Sequence, residues 1–188
     1  MSGKNVTEVR LADAAGIAKA ARILESGGLV AVPTETVYGL AARADSADAV
    51  ARIYEAKGRP SLNPLIVHVP GTEQAGRLAE LTAPARQLAA SHWPGPLTLV
   101  LPRRRDARLA EAVSAGLPTL ALRCPAHPVM SAVIAGVGAP LAAPSANRSG
   151  FVSPTTAEHV LATLDGRIDA VLDAGPCPAG LESTIVAV

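Results

Sequence analysis

The stretch from Lys57 to Pro64 places two cations two residues apart on a stiff loop. It reads KGRPSLNP, so a glycine and two prolines restrict or redirect the backbone around Arg59. Arginine offers a planar fork of N–H donors, and lysine offers a compact point charge. The pair could aim two positive charges at one anion, such as a phosphate group. The alternative is that Lys57 only complements a helix C-terminus, which leaves Arg59 and Asn63 unexplained.

Hydroxyl groups mark three further segments. The segment PTETVYGL (33–40) follows an apolar run directly, and polar residues at a strand end are typical of ligand sites. The segment APSANRSG (143–150) combines small residues with hydroxyls, which lets backbone N–H groups approach a phosphate or a carboxylate. The segment EST (182–184) precedes the last apolar run. Each segment taken alone fits an ordinary polar turn equally well, and His68 alone fits a core histidine.

The composition describes a globular protein without a strong electrostatic partner. Of 188 residues, 49% are hydrophobic and 18% are charged, which excludes a disordered or fibrous chain. The formal net charge of +1 gives no bulk attraction to nucleic acid or to a membrane. Only four aromatic residues occur, too few for a base-stacking platform: Tyr38, Tyr54, Trp93 and Phe151. The length predicts one domain over residues 1–188.

Several familiar sites are excluded by their missing patterns. The sequence has no GxxxxGK[ST] phosphate loop, no HExxH and no GxSxG. The four histidines lack metal-ligand spacing, so we expect no resident metal. Cys124 and Cys177 are too few for a disulfide framework, which favours reduced thiols and a cytoplasmic location. Residues 1–10 lack the apolar core of a signal peptide, and prolines interrupt the longest uncharged stretch, so no membrane segment is expected.

Short apolar runs alternate with helical patterns along the chain. Seven runs bounded by Gly, Pro or Asp predict strands: Leu29–Val32, Leu65–Val69, Leu97–Leu101, Thr119–Arg123, Leu141–Ala143, Ala170–Leu172 and Thr184–Val188. Five patterns with capping residues predict helices that begin at Asp13, Ser46, Thr82, Pro128 and Thr155. Interleaved strands and helices predict an α/β architecture with much of the sheet covered on both faces.

Six short signatures stand in order along the chain: PTETVYGL at 33–40, KGRP at 57–60, NPLIVH at 63–68, LR at 122–123, APSAN at 143–147 and ESTI at 182–185. Together they resemble the threonylcarbamoyl-AMP synthase family, the YrdC-type domain, from Gly27 to the end of the chain. The resemblance implies a single α/β domain with a twisted open, mostly parallel or mixed sheet and surrounding helices, of the YrdC-like and DHBP synthase-like kind. It also implies a deep, positively lined cavity and the short, single-domain form of the family.

The resemblance also implies a reaction. L-threonine, bicarbonate and ATP, which carries Mg²⁺, would give L-threonylcarbamoyl-AMP and pyrophosphate, so the chain would be a nucleotidyltransferase. The product would serve the threonylcarbamoyladenosine modification of tRNA, which a separate transferase complex completes. A weak direct contact with tRNA is compatible with this role. The threonine carbamate is itself the nucleophile toward the α-phosphate, so the protein need only position the reactants and neutralise charge.

The family's motifs imply roles for particular residues. The tetrad on the nucleotide phosphates would be Lys57, Arg59, Ser145 and Asn147. The ATP site would be lined by Arg59, Asn63, Thr119, Ser145 and Ser153. Threonine would be held by Thr36, His68, Arg123, the backbone at Ala143, and Ser183. Family members continue past the ESTI segment, and some bring an arginine to the nucleotide from there; residues 1–188 contain no counterpart, so a later segment could complete the ATP site.

Two other functions are also compatible with the sequence. A non-catalytic module that binds tRNA or double-stranded RNA could use Arg103–Arg105 and Arg108 on the phosphate backbone, although the near-zero charge and scarce aromatics argue against it. An enzyme of the same fold could instead transfer a carbamoyl group, as in hydrogenase maturation proteins. Those domains usually lie within longer chains with zinc-finger and acylphosphatase segments, which this sequence does not contain.

Overall fold

The computed structural model describes residues 6–188, and the first five residues of the N-terminal segment considered above lie outside it. Within this part of the chain, nine strands form one sheet in the order β1-β8-β2-β3-β7-β4-β6-β5-β9. The strands are β1 (Glu8–Leu11), β2 (Val30–Val32), β3 (Gly39–Arg43), β4 (Ile66–His68), β5 (Leu97–Pro102), β6 (Thr119–Arg123), β7 (Leu141–Ala142), β8 (Ala170–Asp173) and β9 (Thr184–Ala187).

Helices connect most of the strands and begin where capping residues stop the preceding chain. They are α1 (Ala14–Glu25), α2 (Ala47–Lys57), α3 (Thr72–Leu78), α4 (Ala83–His92), α5 (Pro128–Val137) and α6 (Ala157–Leu164), with a 3₁₀ turn at Glu111–Ser114. The side chains of Asp13, Ser46 and Thr82 each accept a hydrogen bond from a backbone N–H three residues on, as predicted. The cap of α6 is Thr156, one residue later than predicted.

The predicted α/β architecture with a mixed sheet is confirmed. Four neighbouring pairs are parallel, namely β1–β8, β2–β8, β4–β6 and β5–β9. The other four pairs are antiparallel, so parallel pairing does not predominate. All seven predicted strands and five predicted helices are present. No helix within residues 6–188 is long and apolar enough to cross a bilayer.

Four elements were not predicted, and their residues explain why. The strand β3 reads GLAAR, which contains none of the β-branched or aromatic residues that favour strands. It forms because its first half pairs with β2 and its second half with β7. The segment 33–40 therefore ends inside a strand rather than in a loop. The edge strand β1, the seven-residue α3 and the 3₁₀ turn are short and mostly polar or exposed, so they carry no clear apolar period.

Two apolar clusters cover the two faces of the first half of the sheet. One cluster packs α1 and α5 against Val30 and Val32 of β2. The other, larger cluster packs Ala31 together with residues of α2, α4 and α6. Successive strand residues point to opposite faces, so this alternation places β2 between two layers of helices.

The second half of the sheet leaves one face open. In β4 and β6, Val67, Leu120 and Leu122 are buried in the larger cluster. The alternate residues Ile66 and Ala121 are only half-buried, although they lie in the middle of the sheet. This partly covered face of β4 and β6, which we call the cleft, also carries the predicted site residues His68, Thr119 and Arg123.

Candidate active site

One row of side chains crosses three neighbouring strands at the inner end of this cleft. Strand register places His68 of β4 opposite Arg123 of β6, and Arg123 opposite Thr98 of β5. The hydroxyl of Ser183, just before β9, lies 2.8 Å from that of Thr98. All four residues are buried. The row therefore brings together three residues that were predicted to bind threonine: His68, Arg123 and Ser183.

Arg123 is only 4% exposed and is held by three of its five N–H groups. Its guanidinium donates to the Thr36 hydroxyl at 2.9 Å, to the Glu35 carboxylate at 2.5 Å and to the Gly95 carbonyl at 3.3 Å. The remaining two N–H groups have no partner among the described residues. A guanidinium fixed on one side and open on the other can accept a carboxylate in a forked geometry.

The segment after β2 folds into a turn that positions Thr36. The Thr34 hydroxyl accepts hydrogen bonds from the backbone N–H of Thr36 at 3.1 Å and of Val37 at 3.2 Å. The two threonine hydroxyls lie 2.8 Å apart. The second carboxylate oxygen of Glu35 accepts a hydrogen bond from the backbone of Ala126 at 3.2 Å. This turn fixes both the hydroxyl and the carboxylate that orient Arg123.

His68 is 2% exposed, and neither ring nitrogen has a hydrogen-bond partner among the described residues. Burial, followed by repulsion from Arg123, lowers its pKa to about 3. The ring is therefore neutral at physiological pH, with one donor and one acceptor unused. Buried polar groups are almost always paired, so an orphaned ring beside a cavity points to a missing ligand.

A small pocket joins these groups. Its volume is about 20 Å³, which is room for roughly one water molecule. Its walls come from the 33–40 turn, the central row, the 143–147 loop and the chain before β9: Thr34, Thr36, Val37, Gly39, Ile66, His68, Arg123, Ala143, Pro144, Ser145 and Glu182. Threonine is larger than this volume, so binding it requires a wall to move. The predicted deep, positively lined cavity stays a prediction.

The 143–147 loop reaches the pocket because Gly39 leaves space for it. A Cβ on Gly39 would lie 3.3 Å from the Cβ of Ala143, closer than most side-chain contacts. The backbone N–H of Leu40 donates to Pro144 at 2.7 Å, and that of Ala146 donates to Tyr38 at 2.8 Å. These hydrogen bonds therefore attach the loop to the start of β3, and Ala143 and Ser145 line the pocket.

Lys57 ends α2 directly beneath this loop. Gly58, at φ +57°, adopts the left-handed conformation that ends the helix, a conformation that glycine allows. The Lys57 ammonium donates to the Ser145 carbonyl, to the Asn147 carbonyl at 2.5 Å and to the Asn147 side-chain oxygen at 3.4 Å. Burial, then repulsion from Arg59, lowers its pKa to about 8, and the Glu182 carboxylate opposes the shift.

Arg59 and Asn63 lie on the more exposed rim of the cleft. Arg59 is half-buried and donates to the backbone carbonyls of Asn63 at 3.3 Å and of Pro64 at 3.0 Å. Its Nη1 group has no partner in the described part of the chain. Asn63 is exposed. This rim offers a cation whose charge no carboxylate neutralises.

The remaining predicted nucleotide residues border the same cleft. Ser153 donates its hydroxyl to Glu182 at 2.5 Å, and Glu182 also lines the pocket. Thr119 lies four residues before Arg123 in β6 and on the same face of the sheet. The strand rise places the two Cα atoms about 13 Å apart. The cleft thus runs from a small buried pocket to a more exposed rim bordered by Arg59.

Five of the twelve predicted site residues line the pocket, namely Thr36, His68, Arg123, Ala143 and Ser145, but reasoning from the sequence missed three participants. Glu35 pairs with Arg123, Thr34 holds the turn, and Glu182 lines the pocket and bonds Ser153. All three lie inside quoted motifs. A charged residue in an otherwise uncharged 33–40 segment was the available signal for Glu35.

A larger groove elsewhere does not carry comparable chemistry. It has a volume of about 630 Å³ and is lined by residues of the α1–β2 turn and the start of α2. Its main cations are already paired, Arg43 with Asp45 at 2.6 Å and Arg52 with Asp169 at 2.9 Å. Orphaned donors and acceptors, rather than volume, therefore mark the β4–β6 cleft as the candidate site.

Known proteins share most of this sequence. The family model described as Sua5_yciO_yrdC, "Telomere recombination", matches residues 22–188. The chain belongs to the Sua5/YciO/YrdC family. A threonylcarbamoyl-AMP synthase of Bacillus subtilis is 54% identical over 174 residues, covering 90% of this chain and 49% of that protein. One of Pyrococcus abyssi is 48% identical over 168 residues, covering 89% of this chain and 49% of that protein.

A solved structure shares the fold closely. The crystal structure of P. abyssi Sua5 complexed with L-threonine superposes with a TM-score of 0.91 at 44% identity. The match covers 97% of this chain and 54% of that one. The chain therefore spans about half the length of these relatives. The fold expected from the six Sua5/YciO/YrdC signatures is confirmed over nearly all of it.

Proposed function

We propose that this chain carries L-threonylcarbamoyladenylate synthase activity, in which L-threonine, bicarbonate and ATP give L-threonylcarbamoyl-AMP, pyrophosphate and water. The observation that carries the proposal is the orphaned His68 ring beside the half-satisfied Arg123 guanidinium in one buried pocket. These groups suit a small zwitterion with a hydroxyl group. Relatives named for this activity and the threonine complex of P. abyssi Sua5 support the same conclusion.

In this proposal the buried end of the cleft holds threonine. The two unused N–H groups of Arg123 receive its carboxylate. The neutral His68 ring, which can donate and accept, receives its hydroxyl group. The Thr36 hydroxyl, whose hydrogen points to Thr34, can accept a hydrogen bond from its amino group. Ser183, fixed by Thr98, and the backbone at Ala143 close the remaining sides. Glu182 is exposed and is the wall best able to move when threonine enters.

The open end of the cleft holds ATP. Arg59 is the cation with an N–H group left for phosphate oxygens, and Ser145 and Asn147 lie on the loop facing it. Asn63, Thr119 and Ser153 extend the same border toward the nucleoside. The carbamate formed from threonine and bicarbonate attacks the α-phosphate, and pyrophosphate leaves. The protein contributes alignment of the two ends and positive charge near the phosphates.

Mg²⁺ fits this site as part of the nucleotide complex. Residues 6–188 contain no group of three or more His, Cys, Asp or Glu side chains placed to hold a metal ion. Glu182 is the carboxylate that lines the pocket, and Ser153 already donates to it. Mg²⁺ usually keeps several waters and binds through substrate phosphates with one or two carboxylates, which matches what this cleft offers. The ion would neutralise phosphate charge.

The product indicates the protein's wider context. An activated threonylcarbamoyl group must be consumed by a transferase, and we propose the tRNA-modifying transferase complex as that partner, with at most a weak direct contact between this chain and tRNA. The two cysteines are free and buried, which is consistent with our proposal that the protein works in the reducing cytoplasm.

Pyrophosphate release from ATP and Mg²⁺ tests the activity. We expect release that requires both threonine and bicarbonate and stops when either is omitted. Salt-dependent tRNA binding with no ATP turnover would instead favour the RNA-binding module. Turnover that depends on carbamoyl phosphate would favour the carbamoyl-transfer enzyme. Failure to bind either ATP or threonine in calorimetry would overturn the proposed function.

A further inference from the structure

Lys57 combines full burial with a complete set of internal partners. It is 2% exposed, and its ammonium carries three hydrogens. Three oxygens lie within hydrogen-bond distance: the Ser145 carbonyl, the Asn147 carbonyl and the Asn147 side-chain oxygen. An ammonium with three internal acceptors has no hydrogen left for an external anion. This contrasts with Arg59, whose Nη1 group is unpaired within the described residues.

The backbone and the side chain of Lys57 each form hydrogen bonds with the loop. The Lys57 carbonyl accepts a hydrogen bond from the backbone of Ser149 at 2.9 Å. The ammonium reaches carbonyls two and four residues earlier in the same loop. The Asn147 side chain in turn donates to the Phe151 carbonyl at 2.6 Å. Residues 145–151 are therefore organised around the end of α2.

Bonds to β3 and the burial of Ala146 hold the start of the loop, whereas its later part has little apolar packing. Its residues are mostly small or polar, and Arg148, Ser149, Gly150 and Phe151 are exposed. Apolar packing contributes little there. Carbonyl groups that converge on one point repel each other unless a cation lies between them. Removing Lys57 would leave these acceptors unpaired, which favours rearrangement of the loop.

We propose that Lys57 is a positioning residue, which shapes the 145–151 loop from below so that Ser145, which lines the pocket, faces the nucleotide, and that it does not itself contact the phosphates. Arg59 is then the cation that touches them. The charge of Lys57 still raises the positive potential of the cleft without a direct contact. The role of the loop in holding ATP rests on the proposed function, whereas the shaping of the loop by Lys57 does not.

Hydrogen exchange of the ligand-free protein tests the shaping directly. Lys57→Met keeps the length of the side chain and removes its charge and donors, and Arg59→Ala is the matched control on the neighbouring cation. We expect the amides of Ala146 and Ser149 to exchange at least tenfold faster in Lys57→Met and within twofold of wild type in Arg59→Ala. Amides of β5 and β6 report whether the variant remains folded. Unchanged exchange at 146 and 149 in a folded Lys57→Met variant would overturn the proposal.

A measurement on the wild-type chain tests the proposal without requiring a variant that folds. In nitrogen-15 NMR, we expect the Lys57 ammonium protons to be protected from solvent before any ligand is added, and their chemical shifts to change little when ATP and Mg²⁺ bind. Protection that arises only with ATP would identify Lys57 as a phosphate ligand and refute the positioning role. If ATP does not bind at all, the proposed function fails while the ligand-free protection still decides the role of Lys57.

Discussion

The two ends of the cleft are built differently. At the inner end, Arg123 and His68 are buried, and Arg123 is fixed by Thr36, Glu35 and Gly95 before any ligand arrives. At the outer end, Arg59 is half-buried and Asn63 is exposed, and their contacts run mainly to nearby backbone. Preorganised groups lose little entropy on binding, whereas mobile ones must be ordered by the ligand. If the proposed function holds, we expect the inner end to set selectivity for the amino acid and the outer end to become ordered when ATP binds.

Replacing Arg123 should give the largest change at the inner end. Arg123→Lys keeps a positive charge but loses the fork and the bonds to Thr36 and Glu35. Hydrogen bonds to charged groups contribute about 1.5–3 kcal/mol each, and threonine would lose both arms of the fork, so we expect its KM to rise about 100-fold or more. Steady-state pyrophosphate release measures this. Arg59→Lys is the control and should leave the threonine KM within about twofold. Equal rises in the threonine KM in both variants would show that the two ends do not differ in this respect.

The buried His68 should make stability depend on pH in the acid range. Its pKa of about 3 in the folded chain lies below the ordinary value of 6.5, so the unfolded chain binds more protons between these values. Stability contributed by the neutral ring is present above about pH 6.5 and is lost as the pH falls toward 3. We expect the wild type to lose on the order of 3 kcal/mol more than His68→Gln between pH 7 and pH 4.

Urea denaturation of both proteins at pH 7, 5 and 4 measures this difference. Parallel curves for wild type and His68→Gln would mean that the ring is already charged or solvated in the folded state. Threonine should also protect the wild type more than the variant, because it supplies the missing partners of the ring.

Arg59 should show a smaller and salt-sensitive effect. Arg59→Ala removes a half-exposed cation whose interaction with phosphates is partly screened by ions. We expect the KM for ATP to rise about tenfold at low salt and the difference to shrink as the salt concentration rises. The threonine KM should stay nearly constant. An effect of Arg59→Ala that is independent of salt would indicate a buried contact, as at the inner end.

Ser183 should give the smallest effect. Ser183→Ala removes the 2.8 Å contact with Thr98 but leaves Arg123 and its partners in place. Loss of one neutral hydrogen bond costs about 1 kcal/mol, so we expect a roughly fivefold rise in the threonine KM. Thr98→Val removes the same contact from the other side and should match it. A much larger loss in Ser183→Ala alone would show that the hydroxyl touches threonine directly.

Much of this site could be predicted from the sequence because its motifs follow strand ends. Polar residues directly after the strand at 29–32 and near the ends of those at 65–69 and 119–123 indicated a ligand site, although the order of the strands could not be derived. The sequence could not reveal that His68 lacks partners or that Lys57 has three, since both facts depend on contacts with residues distant along the chain. Nor could it place β3, whose small residues form a strand only because β2 and β7 supply partners.

The position of β8 has a consequence for the synthesis of the chain. This strand lies between β1 and β2, and Leu29 bonds to Asp169, 140 residues later. At roughly 5–20 residues per second, a ribosome exposes β2 on the order of ten seconds before β8. During that interval β2 can pair with β3, but the edge that β1 and β2 will share with β8 remains unpaired. The N-terminal edge of the sheet is therefore completed late, when translation has passed Asp173, and until then its unpaired backbone groups are open to pairing with other chains.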